Sequence, residues 1–360
     1  DYMEDKDVAD QFILGPEFEY YILDHVSYWN EANSSGYNVD SFQSAWNSDE
    51  LEENLGYKVG HKDGYHRDAP HDLYRNLRSD ISLELEKMGI NVKYHHHEVG
   101  GPGQHEIETT REEGRKMGDA SMLIKYFVKN MAYQRGTTAT FMPKPIFGEA
   151  GNGFHVHMQL FKDGKSIFNG PDSNYAGLSD KALHFMGGVL KHTPALMAIT
   201  APSTNSYKRL VKGYEAPVAI CFATSNRSAV VRIPGYATAP QKKRFEFRPS
   251  DASGNPYLTF ASLLMAGLDG IENKIDPTEE GFGPIDKNVY EMDEKETELE
   301  FLPGSLEEAL NELEKDHDFL MKGDIFTKEL INSWIETKRK EAENVKTMPN
   351  PKEYEMYFDV

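Results

Sequence analysis

Three short segments of the chain each carry two ionisable residues, two positions apart, inside an apolar run. They are Glu17-Phe18-Glu19, His155-Val156-His157 and Glu246-Phe247-Arg248. Residues i and i+2 of a β-strand point to the same face, so each triplet would aim two ionisable groups in one direction. Carboxylates in apolar surroundings require a cation or an arginine, because an unpaired buried charge is costly. One triplet alone is compatible with a strand that has a solvated face, but three together favour a functional cleft.

Two further glutamates, Glu98 and Glu106, stand eight positions apart on either side of a glycine-rich segment. Adjacent strands joined by such a turn would bring one carboxylate each to a common point. Together with Glu17 and Glu19 they offer hard oxygen ligands, which suit Mg²⁺ or Mn²⁺. An imidazole from His155 would shift one such site slightly towards Mn²⁺.

A glycine-rich loop and a set of arginines complete the candidate chemistry. The loop at 148–153 permits close backbone approach to a ligand, but no Gly-Lys-Ser/Thr follows it, so it is not a Walker loop. Arginine grips carboxylate and phosphate groups through paired hydrogen bonds. A single arginine usually has a surface or ion-pair role, whereas several beside clustered glutamates favour a phosphate-handling site. The arginines concerned are Arg209, Arg227, Arg232, Arg244 and Arg248.

The elements that must position these residues are strands in clusters, separated by long helices. The apolar patterns predict strands at Phe12–Leu23, Asn91–His97, His105–Thr110, Thr138–Phe141, Phe154–Phe161, Ala229–Ile233 and Arg244–Arg248. They predict helices around Leu73–Met88 and at Arg115–Arg135, Ser179–Thr200, Tyr257–Ile271 and 305–345, followed by an extended tail at Pro349–Val360. Regular βαβ alternation is absent from this pattern. The sequence therefore predicts the α+β class, an antiparallel sheet with helices on one side.

Composition excludes several classes of protein. The chain has 360 residues, a net charge of −20 and one cysteine, Cys221. So acidic a chain is a poor nucleic-acid binder, and a single cysteine cannot form an internal disulfide. No run of about 18 apolar residues is present, which argues against a membrane span. We expect a reducing compartment, the cytoplasm, and no nucleic-acid or membrane partner.

Six blocks of the sequence resemble the glutamine synthetases of the bacterial and archaeal type I, and they occur in that family's order. They are GPEFEYYIL, HHHEVGGPGQHEI, KPIFGEAGNGFHVHMQL, NSYKRLVKGYEAPV, NRSAVVRIP and RFEFRPSDASGNPYL. The resemblance implies a catalytic domain over 1–360, with a curved antiparallel sheet related to that of guanido kinases and a charged helical C-terminal region at 305–360. Relatives carry a small β-grasp domain before this point, so we expect the native protein to be longer.

The resemblance also implies a role for each candidate residue. One divalent ion would be held by Glu19, Glu98 and Glu106, and a second by Glu17, His155 and Glu246, with Mg²⁺ or Mn²⁺ as the metal. ATP, the co-substrate, would contact His157, Gln159, Arg232 and Arg244. Glutamate would be bound by Gly151, Arg209, Glu215 and Arg248. Arg227 would stabilise the phosphoryl group in transit, Glu215 would take a proton from ammonium, and Tyr65 would line the ammonium pocket.

The implied activity is the ATP-dependent ligation of ammonium to glutamate through γ-glutamyl phosphate. Two alternatives remain open at this point: a ligase for another amine, such as a polyamine, and a non-catalytic structural or regulatory homologue. The resemblance implies a dodecamer of two hexameric rings, and regulatory proteins or metabolite effectors stay open. Departures from the family at Lys93, Ala150, Gln159 and Gln241 bear on the nucleotide contacts. Tyr290 is expected to be an unmodified loop tyrosine.

Overall fold

A large, mostly antiparallel sheet forms the framework of the protein. The computed structural model describes residues 2–48, 54–171, 174–211, 216–287, 289 and 299–360. The strands are β1 Gln11–Leu23, β2 His25–Glu31, β3 Ser34–Asp40, β4 Val92–His97, β5 Gln104–Thr109, β6 Glu112–Glu113, β7 Thr138–Thr140, β8 Val156–Lys162, β9 Lys165–Ser166, β10 Ala219–Thr224, β11 Ala229–Ile233 and β12 Phe245–Phe247. The main path of the sheet runs β10-β11-β12-β8-β1-β5-β4.

Helices pack against one face of this sheet and form the C-terminal region. They are α1 Tyr2–Asp5, α2 Arg75–Lys87, α3 Gly114–Gln134, α4 Asp180–Lys191, α5 Thr193–Thr200, α6 Ser206–Arg209, α7 Pro256–Asn273, α8 Leu306–Lys315, α9 Asp318–Met321, α10 Lys328–Lys346 and α11 Pro351–Tyr357. The predicted α+β class is confirmed. Within the described residues, no helix combines the length and apolar character needed to cross a membrane.

The central strand β1 sets the register of the whole sheet. It pairs antiparallel with β5, where Glu17 lies opposite Glu108 and Glu19 opposite Glu106. On its other side it pairs with β8, which in turn places His157 opposite Glu246 of β12. Since side chains alternate along a strand, these polar groups share one face. The intervening apolar side chains, such as Phe18 and Tyr20, are fully buried in the core on the other face.

The structure differs from the sequence predictions in five respects. The tail at Pro349–Val360 is not extended, because the Asn350 side chain caps the helix α11 and Pro351 occupies its first turn. The segment Ser179–Thr200 is two helices, separated at His192 just before a proline. The hairpin β2–β3 and the strand β10 were not predicted. One pair of strands, β10 and β11, is parallel rather than antiparallel.

Candidate active site

The polar face of the sheet forms the floor of a cleft of about 250 Å³. Each strand directs every second side chain into the cleft. β1 supplies Glu17 and Glu19, β5 supplies Glu106 and Glu108, and Glu98 directly follows β4. The turn between β4 and β5 is closed by a hydrogen bond from the Glu98 amide to the Gln104 carbonyl, 2.8 Å long. The two glutamates predicted to meet across the glycine-rich turn therefore lie on neighbouring strand ends.

Glu17 lies between two histidines. Its Oε2 is 3.0 Å from Nδ1 of His155, and its Oε1 is 2.9 Å from Nε2 of His157. Burial raises the pKa of Glu17, but the hydrogen bonds from both imidazoles outweigh burial and hold this pKa well below its usual range. Nδ1 of His155 is also 3.6 Å from Glu246 and 3.7 Å from Glu19. His155 thus faces three of the predicted ligand carboxylates.

Glu98 and Glu106 form a second carboxylate pair, with His96 between them. The His96 ring nitrogens are 3.8 Å from Glu98 and 3.6 Å from Glu106. Burial raises the pKa of both glutamates well above the usual range, and neighbouring carboxylates raise it further: Glu106 and Glu19 for Glu98, Glu17 and Glu19 for Glu106. These carboxylates repel one another, so a positive ion among them would lower the energy of the cluster.

Glu246 is fully buried and is contacted by two arginines. Arg248 donates to its Oε1, and Nε of Arg232 is 3.0 Å from its Oε2. Burial raises the pKa of Glu246, but the nearby positive charges, Arg248 first and then Arg232 and His157, together outweigh burial and lower the net pKa. Glu246 therefore stays ionised although no water reaches it.

The donor set fits divalent cations. Among the residues that the structure describes, ligand atoms lie within 4.8 Å of one another in three groups: Glu17–His157–Glu246, His96–Glu98–Glu106 and Glu17–Glu106–Glu108. Carboxylate oxygens with a few imidazoles are the ligands that Mg²⁺ and Mn²⁺ take in proteins. The first two groups overlap with the predicted ligand sets but differ in one member each, since His157 and His96 join where His155 and Glu19 were expected.

A separate wall of the cleft combines the glycine-rich loop with Arg209. Arg209 is 3% exposed, and its guanidinium donates to the carbonyls of Pro249 and Arg248 and lies 3.1 Å from Nε2 of His155. A Cβ at Gly151 would lie 2.8 Å from the Arg209 side chain, and a Cβ at Gly153 2.7 Å from its guanidinium. Only glycine permits this close approach of the loop to the arginine.

Two of the three predicted catalytic residues, Arg227 and Tyr65, line the cleft. The Arg227 guanidinium stands over the Tyr65 ring, 5.9 Å from its centre, and Tyr65 is half exposed. Tyr65 also packs on His66, which stacks on His96. Glu215 lies outside the described residues.

The four residues predicted to contact ATP differ in whether they border the cleft. Among the described residues that border the cleft, Arg232 is present, whereas His157, Gln159 and Arg244 are not. His157 is buried behind Glu17, and Gln159 is buried and accepts a hydrogen bond from Arg111. Arg244 reaches the cleft through Tyr236, to which it donates at 3.0 Å.

Sequence reasoning missed three residues of this site, Tyr94, His96 and Glu108, and considered Lys93 only as a departure near the nucleotide. The ammonium of Lys93 is 2.7 Å from Glu108, which is 3% exposed. The signal was present in the sequence, because Glu106-Ile107-Glu108 repeats the i, i+2 pattern of Glu17 and Glu19. The same alternation selects Tyr94, His96 and Glu98 as one face of β4 and its end.

A sheet that presents clustered carboxylates and imidazoles to arginines defines a metal-dependent enzyme acting on anionic substrates. A family model described as glutamine synthetase, catalytic domain, matches residues 1–357. The glutamine synthetase of Streptomyces coelicolor is 49% identical over 361 residues, 100% of this chain and 76% of that protein. The glutamine synthetase of Nostoc sp. is 45% identical, with the same two coverages. The chain belongs to the glutamine synthetase family.

Solved structures are similar as well. A cryo-EM structure of Plasmodium falciparum glutamine synthetase superposes with a TM-score of 0.88 at 30% identity, over 99% of this chain and 77% of that one. A structure described as a GmaS/ADP complex superposes with a TM-score of 0.77 at 27% identity, over 97% of this chain and 73% of that one.

Proposed function

We propose that this cleft carries out the reaction of a glutamate–ammonia ligase. ATP, L-glutamate and ammonium are converted to L-glutamine, ADP and phosphate. The observation that carries the proposal is the juxtaposition, in one cleft, of a carboxylate–imidazole cluster with Arg209, Arg227, Arg232 and Arg248. The carboxylate-rich floor suits cations that accompany ATP, and the arginines suit a dicarboxylate and phosphate groups.

The chemistry explains why both kinds of group are needed. A carboxylate is a poor electrophile, because its leaving group would be oxide. An oxygen of the glutamate γ-carboxylate attacks the γ-phosphorus of ATP, ADP leaves, and γ-glutamyl phosphate forms. Ammonia then attacks the acyl carbon, and the C–O bond to phosphate breaks. Charge accumulates on the transferring oxygens, so fixed positive groups must be in place before the reaction starts.

The glutamate substrate is assigned to the wall formed by the glycine-rich loop, with Arg209, Arg248 and the Gly151 backbone as its partners. The Gln104 side chain donates to the Gly151 carbonyl at 3.0 Å and so fixes the loop conformation. Buried donors held in this way bind a substrate with little reorganisation.

Arg227 and Tyr65 are assigned to the reacting end of glutamate. Arg227 is assigned to the phosphoryl group in transit, and its stacking on Tyr65 keeps the guanidinium near the mouth. Tyr65 is assigned to the ammonium pocket, because an aromatic ring attracts a cation. Proton removal from ammonium is assigned to Glu215.

Two divalent ions are assigned to the six predicted ligands, one to Glu19, Glu98 and Glu106 and one to Glu17, His155 and Glu246. Bound Mg²⁺ or Mn²⁺ would neutralise charge on the transferring phosphoryl oxygens. ATP is assigned to the side of the cleft with Arg232 and the Tyr236–Arg244 pair, and beyond them to the strand of His157 and Gln159. The related structure described as an ADP complex supports nucleotide binding by this fold.

The test is an assay of glutamine and ADP formation with the full chain. Both products should require glutamate, ATP, ammonium and Mg²⁺ or Mn²⁺ together. Arg227→Gln should lower kcat by at least about 100-fold with little change in the glutamate KM, because the arginine acts on developing charge. Arg75→Gln, at an exposed arginine paired with Asp68, serves as the control. ADP release with a polyamine but not with ammonium would contradict the proposal.

We also propose that the chain assembles into two stacked hexameric rings. The support is the family membership and the exposure of Tyr354, Met356, Tyr357 and Phe358 in and after α11, a group of apolar side chains typical of an interface. Sedimentation velocity measures the mass directly, and a monomer at micromolar concentration would contradict this assembly.

A further inference from the structure

A third carboxylate group adjoins the two groups assigned to metal ions. Ligand atoms of Glu17, Glu106 and Glu108 lie within 4.8 Å of one another. Glu108 has no part in the proposed metal sites. It enters the group because β5 places it opposite Glu17 in the sheet register. Three carboxylates at this spacing repel one another unless a cation lies among them.

The two oxygens of Glu108 have different surroundings. Its Oε1 accepts from Nζ of Lys93 at 2.7 Å. Its Oε2 is buried and accepts no hydrogen bond of good geometry, the Tyr94 hydroxyl also interacts with this carboxylate, and the residue as a whole is only 3% exposed. A buried carboxylate oxygen without a well-formed hydrogen bond is costly, and such an atom points to a ligand position.

Lys93 supplies this group with a positive charge from the chain itself. The residue lies on β4, the edge strand of the sheet path, and its side chain is 40% exposed. The ammonium also stands over the Tyr94 ring, 4.7 Å from its centre. One contact with a carboxylate and one with a ring face hold the ammonium at the edge of the cleft.

We propose that the ammonium of Lys93 takes the place of a third cation, pairing with Glu108 and so limiting the cleft to two divalent ions. Removing this charge would leave three hard oxygen donors close together. Such a group, completed by water, suits Mn²⁺. The inference rests on the proposed function, which assigns the other two ions. Its test compares only the number of bound Mn²⁺ ions between variants.

The experiment counts Mn²⁺ ions per chain by equilibrium dialysis of the protein with Mn²⁺ alone, together with EPR spectra of the bound ions. Lys93→Met should bind one more Mn²⁺ per chain than the unsubstituted protein. Lys93→Arg, which keeps the charge, should show no increase. The double variant Lys93→Met/Glu108→Gln should return to the original number. Lys87→Met removes an exposed lysine that pairs with Glu84 on α2, and it should leave the number unchanged.

Equal Mn²⁺ numbers in the unsubstituted protein and Lys93→Met would overturn the inference, as would an additional ion that persists in the double variant. If circular dichroism shows that Lys93→Met is unfolded, Lys93→Gln makes the same comparison with a neutral side chain that still donates hydrogen bonds. Failure of the proposed function is distinguishable, because it is read from glutamine and ADP formation, whereas this inference is read from the number of bound Mn²⁺ ions. The gain of one Mn²⁺ ion from the unsubstituted protein to Lys93→Met decides the inference in either case.

Discussion

Glu106 combines the features expected of a residue that holds a cation. It is 6% exposed, it lies opposite Glu19 in the sheet, and it belongs to two of the three groups of potential ligands. Burial and the neighbouring carboxylates raise its pKa well above the usual range. A protein retains so unfavourable a cluster only where a cation or a proton compensates for it.

Replacing Glu106 with glutamine should therefore weaken Mn²⁺ binding. Even residues that only orient metal ligands cost about 10–100-fold in affinity, so loss of a ligand should cost at least as much. Isothermal titration with Mn²⁺ measures the effect, and the rate of glutamine formation should fall in parallel. Glu84→Gln, at an exposed glutamate of α2, is the matched control. Unchanged Mn²⁺ affinity in Glu106→Gln would contradict the assigned ligand set.

Among the elements, α4 and α7 approach each other most closely at glycines. A Cβ at Gly188 would lie 2.1 Å from the carbonyl of Ala266, and one at Gly270 would lie 2.1 Å from the carbonyl of His184. Both obstacles are backbone atoms, which cannot rotate away. The two helices therefore depend on small residues for their spacing.

Gly188→Ala should lower the free energy of unfolding by about 1–3 kcal/mol, the usual cost of overpacking, although alanine favours helix. Urea denaturation followed by circular dichroism measures this loss. Gly304→Ala is the control, since its Cβ would meet only the flexible end of Glu308 at 3.5 Å. Equal stability of Gly188→Ala and the unsubstituted protein would contradict the close approach.

His192 contacts three helical elements, two through its ring nitrogens and one through its ring face. Nδ1 is 2.7 Å from Asp316 after α8, Nε2 is 3.0 Å from Asp269 of α7, and the ring stacks on Phe319. Asp269 also accepts from Lys322 at 2.6 Å. Burial lowers the pKa of His192, but the hydrogen bonds to both aspartates outweigh burial, so the net pKa is raised.

A raised histidine pKa gives this contact a defined pH dependence. The stabilisation is fully present below the unfolded pKa of about 6.5 and is lost as pH rises through the higher folded value. The difference in unfolding free energy between the unsubstituted protein and His192→Asn should thus be largest below about pH 6.5 and shrink as the pH rises through the raised folded pKa. Urea titrations across this range test it, with the exposed His25→Asn as control. A difference that does not vary with pH would contradict the raised pKa.

At the scale of the whole molecule, cation binding and folding should be coupled. The ligands come from β1, β5, β8, β12 and the end of β4, so the groups exist only when the sheet is formed. A ligand that binds only the folded state stabilises it by about 2.7 kcal/mol at 100 times its Kd. The melting temperature should rise with Mn²⁺ and fall again with EDTA. Glu106→Gln should reduce the rise, and an equal rise in both proteins would contradict the coupling.

The fold class and the main strands could be predicted from the sequence because alternation and helical spacing are local signals. The hairpin β2–β3 was missed because most of its residues are exposed and its apolar alternation is limited to the pairs Val26/Tyr28 and Tyr37/Val39. The helix α11 in the tail has only seven residues, too few for a clear helical spacing of apolar residues. Its remaining sequence signal is the cap, Asn350 followed by Pro351.

The sequence by itself determined the kinds of group in the cleft: glutamates and histidines at strand spacing, a glycine-rich loop, arginines, and the motifs of the family. Only the tertiary structure decided which of these groups meet. Strand register, set by pairing between separate segments, places Glu108 opposite Glu17 and His96 opposite Glu106. Local sequence encodes alternation along one strand, but contacts across strands depend on a pairing that no single segment contains.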